Sequence, residues 1–265
     1  NFLKDSYYLS LLNVYFVPVI SIIIIVFVTL LFIYREMENG KILNQFITII
    51  THKIKTPLTG VRWSINMLQK DLTLLEKKDL LDEMKKANER LMEIMDLLVA
   101  FVRLDKKLDY NFEPASLKDI VNNSFNKDLA MIKDKNIQFS IDQTKEVPKT
   151  TIDKSKIQFA VDMIVDNAIK YTPNGGFVKV DFETKNNKII LKIKDSGIGM
   201  SFFDSKKVFK HFFRSVGAKQ MDADGLGLGL FTARKIVEYH KGKIWAESEG
   251  LNKGSTFFIE LPIKN

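Results

Sequence analysis

The sequence predicts an α+β protein with three successive parts: a transmembrane helix, a helical hairpin and an α/β sandwich. Three observations support this prediction. A long apolar segment lies near the N-terminus, a helical apolar periodicity follows it, and helices mixed with alternating strands fill about the last 150 residues. The predicted parts are a short extracytoplasmic segment at 1–13, the transmembrane helix at 14–34, the hairpin at 35–110 and the sandwich at 111–265.

The apolar segment is long enough to cross a lipid bilayer. No charged residue lies between Asp5 and Arg35, and residues 14–34 are almost entirely apolar. A helix needs about 20 apolar residues to span the hydrocarbon core, whereas the apolar core of a signal peptide is shorter. Lysine and arginine are more frequent just after the segment than before it, so we expect the later domains on the cytoplasmic side of the plasma membrane. The chain begins at Asn1 rather than methionine, and we expect further sequence upstream.

The composition excludes several classes of site. The chain has 265 residues, a net charge of +8 and no cysteine, which excludes disulfides, thiolate metal sites and cysteine nucleophiles. The three histidines, His52, His211 and His240, lie in different segments, which argues against a multi-histidine metal centre. Lysines are scattered among acidic residues, and no basic run is interleaved with aromatic residues. We therefore expect no nucleic-acid partner.

Two amphipathic helices follow the apolar segment. Apolar residues recur at a roughly heptad spacing from residue 36 to about 70, and a second apolar stripe runs from about 75 to 108 after a polar turn. The short connection predicts an antiparallel hairpin. Both helices carry broader apolar stripes than one hairpin buries, so we predict a homodimer in which two hairpins form a four-helix bundle.

The last part mixes helices with antiparallel strands, which predicts one helical layer on one mixed sheet. Ser116 and Asp153 are predicted to cap helices that run to about residue 133 and to Tyr171. A last helix is predicted at 226–240, after a long irregular stretch at 196–224. Strands are predicted at 112–114, 137–141, 177–184, 188–194, 243–248 and 255–261.

Two segments of the sandwich carry residues suited to a nucleotide. Asp195 ends a predicted strand, where its carboxylate can accept a hydrogen bond from an adenine amino group, and Gly197 and Gly199 let the backbone approach the ring. Asn167 and Lys170 share one face of a helix, where an amide oxygen suits magnesium and an ammonium group suits phosphate. Each pattern alone is also typical of an ordinary turn or a polar helix surface.

A third segment is suited to phosphate. Gly225, Gly227 and Gly229 lie where a helix begins, and unpaired backbone N–H groups at a helix start bind anions. The segment is not a Walker or Rossmann loop, because no strand immediately precedes it and no Gly-Lys-Ser/Thr sequence follows.

Together, in this order, these segments resemble the catalytic domain of sensor histidine kinases, a branch of the gyrase-type ATPase superfamily. Residues 166–173 resemble the family's N box, 195–199 its adenine-binding box, 208–214 its phenylalanine-rich lid box and 225–229 its second glycine box. The resemblance runs from about residue 36 to the C-terminus. It implies ATP and Mg²⁺ as cofactors.

The resemblance also implies roles for individual residues. Asn167 would hold magnesium, Lys170 would contact phosphate and Tyr171 would line the adenine pocket. The other implied nucleotide contacts are Asp195, Gly197, Gly199, Phe209, Arg214, Gly225, Gly227 and Gly229. The sequence departs from the family at Met163, where a further asparagine is usual. Magnesium binding is therefore expected to depend more on Asn167.

Residues 46–58 resemble the family's H box, whose histidine accepts the phosphoryl group, and this implies His52 as the phosphoacceptor. Pro57 lies within the same predicted helix, and because proline removes a backbone hydrogen bond we expect a bend there. The family usually has an acidic residue directly after the histidine to accept its proton, whereas this sequence has Lys53. Slower or differently regulated phosphorylation is therefore expected. Thr56 matches the position that the family uses to orient water for dephosphorylation of its partner.

The implied function is that of a membrane sensor kinase with a response regulator as partner. ATP would phosphorylate His52, and the phosphate would pass to an aspartate in the receiver domain of a separate chain. Lys53 and Met163 keep one alternative open, a degenerate signalling scaffold that binds nucleotide without catalysis. A gyrase-type machine would need a transducer domain after the nucleotide domain. His211 and His240 are interpreted as structural or surface residues.

Overall fold

The computed structural model describes residues 44, 47–70, 73–102, 110–142, 144, 146–223 and 225–263. The chain divides into two compact units, Asn1–Thr56 and Pro57–Asn265. The predicted transmembrane helix at 14–34 lies outside the described residues, and among the described residues no helix is both long and apolar enough to cross a membrane.

The described chain forms helices and strands in a mixed order. The helices are α1 (47–68), α2 (Leu74–Val102), α3 (Leu117–Lys127), α4 (Leu129–Asp134), α5 (Lys154–Tyr171), α6 (Phe202–Ser205), α7 (Val216–Met221) and α8 (Gly229–Tyr239). The strands are β1 (Glu113–Ala115), β2 (Gln138–Ile141), β3 (Thr150–Ile152), β4 (Phe177–Lys185), β5 (Lys188–Asp195), β6 (Lys243–Glu247) and β7 (Ser255–Pro262). This order confirms the predicted hairpin segments followed by an α/β sandwich.

The two predicted N-caps are confirmed. The Ser116 hydroxyl accepts the backbone N–H of Asp119 at 3.3 Å, and an Asp153 carboxylate oxygen accepts that of Lys156 at 3.0 Å. Each bond satisfies one of the donors that a helix start leaves unpaired. As predicted, α5 begins after Asp153 and ends at Tyr171.

Three predictions about local structure were wrong or incomplete. The helix predicted from 117 to 133 is two helices, because at Asp128 the backbone turns (φ −100°, ψ 10°) and its N–H bonds to Phe125 at i−3. The irregular stretch at 196–224 contains α6 and α7, each capped by a serine hydroxyl. Strand β3, at Thr150–Ile152, was not predicted.

The large sheet has five strands in the order β2-β4-β5-β7-β6. Strand β2 pairs parallel to β4, and every other neighbouring pair is antiparallel. Strands β4 and β5 are joined by Asn186 and Asn187, whose positive φ values of 51° and 57° suit a tight hairpin turn. The predicted hairpin across these two asparagines is confirmed. Strands β1 and β3 form a separate two-stranded sheet.

The core lies between one face of the sheet and a layer formed by α3, α5 and α8. Helix α5 is central in this layer and packs against both α3 and α8. Side chains alternate along the strands, with Val178, Val180 and Phe182 of β4 buried and the intervening residues more exposed. The arrangement places the C-terminal end of α5, the end of β5 and the start of α8 at one edge of the sandwich.

Helices α1 and α2 expose much apolar surface. Leu58, Trp63, Leu81 and Met95 are each exposed over about half of their surface, while Leu80 and Ile94 are buried. Exposed apolar stripes of this kind are typical of a helix face that packs against another chain. The dimeric four-helix bundle stays a prediction.

The structure confirms that His240 is structural. Its ring is buried at the end of α8, where Nε2 accepts the backbone N–H of Asp153 at 3.0 Å and Nδ1 lies 2.8 Å from the carbonyl oxygen of Ile236. One ring nitrogen accepts while the other donates, so this imidazole is neutral. His211 stacks with Phe212 and Phe231.

Candidate functional site

One cavity of about 480 Å³ brings together most of the residues that the sequence analysis singled out. They come from the second half of α5, the end of β5, the loop after it and the start of α8. The predicted residues that line the cavity are Asn167, Lys170, Tyr171, Asp195, Gly199, Arg214, Gly225, Gly227 and Gly229. Gly197 and Phe209 are not among its lining residues.

Asp195 is the buried acid of the cavity, with only 4% of its surface exposed. Its Oδ1 accepts the backbone N–H groups of Gly197 at 2.8 Å and Ser255 at 3.1 Å. Burial raises the pKa of Asp195 to about 6, although these hydrogen bonds oppose the rise. Because Oδ1 serves the two backbone groups, Oδ2 is the oxygen left for a ligand.

Gly197 contributes through close packing. A Cβ atom at this position would lie 2.5 Å from the carbonyl oxygen of Tyr171, so a side chain there would push the loop away from α5. The next residue, Ile198, donates its backbone N–H to the same carbonyl oxygen at 3.1 Å. Gly197 therefore holds the end of β5 against the end of α5, next to the cavity.

Phe209 supports the cavity wall from behind. It is buried, and its ring meets that of Phe257 edge to face with 6.4 Å between the ring centroids. Phe257 itself lines the cavity. Phe209 therefore does not line the cavity, because its ring packs in the hydrophobic core. The direct nucleotide contact predicted for it stays a prediction.

Two cations that line the cavity, Lys170 and Arg214, pair with a carboxylate that was not predicted from the sequence. Lys170 Nζ lies 2.9 Å from Asp222 Oδ2, and an Arg214 guanidinium nitrogen lies 3.5 Å from the same oxygen. Arg214 also donates to the backbone carbonyl oxygens of Ala218 at 2.8 Å and Gly225 at 3.0 Å, and to that of Asp222. The two predicted phosphate-binding cations therefore share one internal anion.

The start of α8 forms the second polar wall. Its N-cap position, Leu228, has no side-chain cap, which leaves helix-start N–H groups for an anion. Gly227 has φ 70° and packs directly on the backbone of Phe212, where a Cβ atom would lie 2.8 Å from the Phe212 carbonyl carbon. A Cβ atom at Gly229 would lie 2.8 Å from the sulfur of Met163. Glycine is therefore needed at Gly227, where the close neighbour is backbone, whereas at Gly229 the close neighbour is the flexible side chain of Met163.

Asn167 is oriented by its own helix. Its side-chain Nδ2 donates to the backbone carbonyl oxygen of Met163 one turn earlier. The amide oxygen is consequently the atom available for a cation, which fits a magnesium ligand. Met163 also lines the cavity, but its thioether is a poor ligand for a hard cation. The residues present fit a magnesium ion held by one amide oxygen.

Helix α2 contributes lining residues that the sequence analysis assigned only to the hairpin. Arg90, Glu93, Ile94 and Leu97 line the cavity, and the Arg90 guanidinium pairs with Glu93 at 2.6 Å. Nearby, burial raises the pKa of Asp166, which neighbours Asn167. No sequence signal distinguishes these α2 residues from the rest of an amphipathic helix, since their proximity to the cavity follows from long-range packing.

The predicted phosphoacceptor segment belongs to the other compact unit. His52 is exposed on α1, and the Thr56 hydroxyl donates to the backbone carbonyl oxygen of His52 at 3.2 Å. Lys53 is partly buried. Residues on both sides of Pro57 are helical, and the bend predicted at this proline stays a prediction.

Two family models match the chain. Residues 42–107 match the His Kinase A (phospho-acceptor) domain, and residues 152–265 match the histidine kinase-, DNA gyrase B- and HSP90-like ATPase domain. The first match includes His52 and the second includes every predicted nucleotide contact. The two matches fall within the predicted hairpin and the predicted sandwich.

Curated relatives cover most of the chain. The sensor histidine kinase WalK of Bacillus subtilis is 32% identical over 243 residues, which are 88% of this chain and 39% of that protein. The sensor protein kinase WalK of Staphylococcus aureus is 30% identical over 240 residues, which are 86% of this chain and 55% of that protein. The chain therefore spans about two fifths to one half of the length of these relatives.

Solved structures share the fold. The catalytic domain of histidine kinase ThkA is 27% identical, with a TM-score of 0.51 over 58% of this chain and 96% of that one. Histidine kinase ThkA in a complex with the response regulator protein TrrA gives a TM-score of 0.66 at 23% identity, over 86% of this chain and 64% of that one. With both domains matched in order, the chain belongs to the sensor histidine kinases of two-component systems.

Proposed function

We propose that the chain binds ATP with magnesium in the cavity of the sandwich and phosphorylates its own His52. The observation that carries this proposal is the polarity of the cavity. A buried carboxylate, Asp195, lies among its lining residues together with two cations, Lys170 and Arg214, and the uncapped start of α8. An adenine base with a phosphate chain matches this distribution of donors and acceptors.

The adenine base is assigned to the Asp195 end of the cavity. Asp195 Oδ2 would accept a hydrogen bond from the exocyclic amino group, while Ile198, Met200 and Tyr171 supply apolar surface for the ring. The cavity volume of about 480 Å³ lies within the usual range for small-molecule sites, roughly 300–1,000 Å³.

The phosphates are assigned to the part of the cavity near Lys170 and the start of α8. Both features attract negative charge, and the glycines of residues 225–229 permit close approach of the backbone. Asn167 would hold magnesium through its amide oxygen. When bound, the metal ion neutralises charge on the phosphates.

His52 is the proposed nucleophile. A neutral imidazole nitrogen forms the new bond to the γ-phosphorus, the bond to the β,γ-bridging oxygen breaks, and ADP leaves. The remaining imidazole proton passes to solvent, because a protonated Lys53 has no lone pair to accept it. Such a transfer requires positioning and charge neutralisation more than covalent assistance from the protein.

The proposed partner is the receiver domain of a separate response regulator, which takes the phosphoryl group from His52 onto an aspartate. The ThkA complex with TrrA, a response regulator, supports this choice through the shared fold. Thr56 is the proposed water-orienting residue for a phosphatase reaction. We also propose a homodimer through the exposed apolar stripes of α1 and α2, with anchorage to the plasma membrane by residues 14–34.

Two departures favour a second candidate, a scaffold that binds nucleotide without transferring phosphate. Lys53 stands where the family has an acid, and Met163 stands where it has an asparagine. The two candidates differ in whether labelled phosphate is transferred to the protein.

The test is incubation of the complete chain with γ-labelled ATP and magnesium. We expect one acid-labile, alkali-stable phosphate on each active subunit, as phosphohistidine requires, and no label when magnesium is chelated. Nucleotide binding without transfer would support the scaffold. The absence of both binding and transfer would refute the proposed function.

A Lys53→Glu variant tests whether the missing acid limits the reaction. A carboxylate beside His52 can accept the imidazole proton, and a positioned general base contributes 10²–10⁴-fold in favourable cases, so we expect labelling to accelerate at least about tenfold. Lys55→Glu makes the same charge change two residues away and is expected to leave the rate near that of the unmodified chain. Slower labelling of Lys53→Glu would show that the lysine itself assists the reaction.

A further inference from the structure

Asp222 lines the cavity beside its two cations, with most of its side chain withdrawn from solvent. Only 12% of its side chain is exposed, and its Oδ2 lies within ion-pair distance of both Lys170 and Arg214. These cations are themselves largely buried, with 29% and 10% of their side chains exposed. An ion pair withdrawn from water in this way is screened less by salt than a surface pair.

The same segment holds Arg214 and Asp222 together. Arg214 donates to three backbone carbonyl oxygens between Ala218 and Gly225 and to that of Asp222 itself, so Arg214 and the carboxylate belong to one closed loop. Lys170 reaches this loop from α5. A Cβ atom at Gly225 would lie 2.7 Å from Asp222 Oδ2, so glycine there leaves room for the carboxylate.

We propose that Asp222 is an internal competitor for nucleotide phosphate and thereby sets the affinity of the site for ATP. Its carboxylate takes the place on Lys170 and Arg214 that phosphate oxygens require. ATP must therefore displace Asp222 before both cations can bind the phosphates, and the apparent affinity is the intrinsic affinity multiplied by the fraction of molecules in which the carboxylate has released them. This inference rests on the proposed assignment of the cavity to ATP.

Asp222 is expected to compete with the phosphates of ATP and to leave binding of the adenine base unchanged. Asp195 Oδ1 accepts the backbone N–H groups of Gly197 and Ser255, whereas the ion pairs of Asp222 Oδ2 are with Lys170 and Arg214. Adenosine, which has no phosphate, is therefore expected to bind independently of Asp222. Negative charge on Asp222 also repels the phosphate chain directly, which acts in the same direction.

The test compares the complete chain with its Asp222→Asn variant by calorimetric titration with ATP and magnesium, and separately with adenosine. Asparagine keeps the shape of the side chain and removes its charge. We expect ATP to bind about tenfold more tightly to the variant and the adenosine affinity to stay unchanged. Without ligand, the variant is expected to unfold at a lower temperature, because Lys170 and Arg214 have lost their anion.

Three further measurements separate competition from other effects. Glu249→Gln makes the same charge change at an exposed residue outside the cavity and is expected to leave ATP affinity unchanged. In a Lys170→Met background, the gain from Asp222→Asn is expected to shrink, because the two side chains act on the same interaction. Asp222→Ala is expected to tighten ATP binding as Asp222→Asn does.

Several outcomes would overturn the proposal. Weaker ATP binding by both Asp222 variants would make this carboxylate part of the nucleotide or metal site, and equal changes for ATP and adenosine would point to a general structural effect. If the unmodified chain binds no ATP, the proposed function itself fails. If it binds ATP and the variants bind it no more tightly, only the role of Asp222 is refuted.

Discussion

Replacing His52 with glutamine is expected to abolish the incorporation of acid-labile phosphate from ATP. Glutamine has a similar reach and is compatible with a helix, but its amide is not a nucleophile at neutral pH. ATP affinity is expected to stay within about twofold of the unmodified chain, because His52 is not among the residues that line the cavity assigned to ATP. The measurements are the phosphate stoichiometry after prolonged incubation and a calorimetric titration with ATP.

The matched control is His211→Gln. This change removes an imidazole from the sandwich, where His211 stacks with Phe212 and Phe231, and it is expected to leave the final phosphate stoichiometry intact. The stoichiometry is a better readout than the rate here, because loss of the stacking changes packing near the cavity. Full labelling of His52→Gln, or loss of labelling only in His211→Gln, would contradict the assignment of the phosphoacceptor.

Elements with strong local signals could be predicted from the sequence. The bounds of α5 follow from the Asp153 cap at one end and Thr172-Pro173 at the other, and the β4–β5 hairpin follows from Asn186-Asn187. Asp195 was correctly placed at a strand end. In each case, neighbouring residues determine the backbone conformation, so no knowledge of the distant chain is needed.

The parts of the site that depend on distant packing could not be predicted. Asp222 and Lys170 are far apart in the sequence, and nothing in an irregular stretch marks one acid as an ion-pair partner. Phe209 belongs to a box that the family associates with nucleotide, yet its orientation is decided by Phe257. The contribution of Arg90 to the cavity depends in the same way on how α2 packs.

The second large effect is expected for Asp195→Asn, which should weaken ATP binding about 100-fold or more. The N–H groups of Gly197 and Ser255 both require an acceptor, and they will hold the asparagine oxygen where Oδ1 now lies. The asparagine Nδ2 then replaces Oδ2 and presents donors to the amino group of adenine, which also donates. Two buried donors face each other without an acceptor, which is strongly unfavourable.

A base with an acceptor at the same position provides the matched test. Inosine triphosphate carries a carbonyl oxygen where ATP carries the amino group, so its affinity relative to ATP is expected to rise in Asp195→Asn. Calorimetric titration with both nucleotides measures this ratio, and Asp134→Asn, a change at an exposed residue, should leave it unaltered. Loss of both nucleotides in equal proportion would indicate a collapsed cavity instead of a changed hydrogen bond.

The free energy of unfolding of the ligand-free Asp195→Asn variant is expected to rise, although its ATP affinity is expected to fall. Burial raises the pKa of Asp195 from 3.8 to about 6, so the folded state favours the protonated carboxyl. The contribution of Asp195 to the free energy of unfolding is therefore fully present below about pH 3.8. It is lost as the pH rises through about 6. Asparagine stays neutral throughout. The ligand-free variant should therefore match the unmodified chain near pH 4 and exceed its free energy of unfolding by roughly 3 kcal/mol above pH 6.

Denaturant unfolding of both proteins across this pH range measures that difference. Comparison of the two chains cancels the titration of other groups, including Asp128, whose pKa burial also raises to about 6. A difference in the free energy of unfolding that does not change with pH would mean that burial does not disfavour the ionised form of Asp195. A difference that grows as expected, together with lost ATP binding, would show that the cavity keeps a destabilising charge because ligand recognition requires its acceptor oxygen.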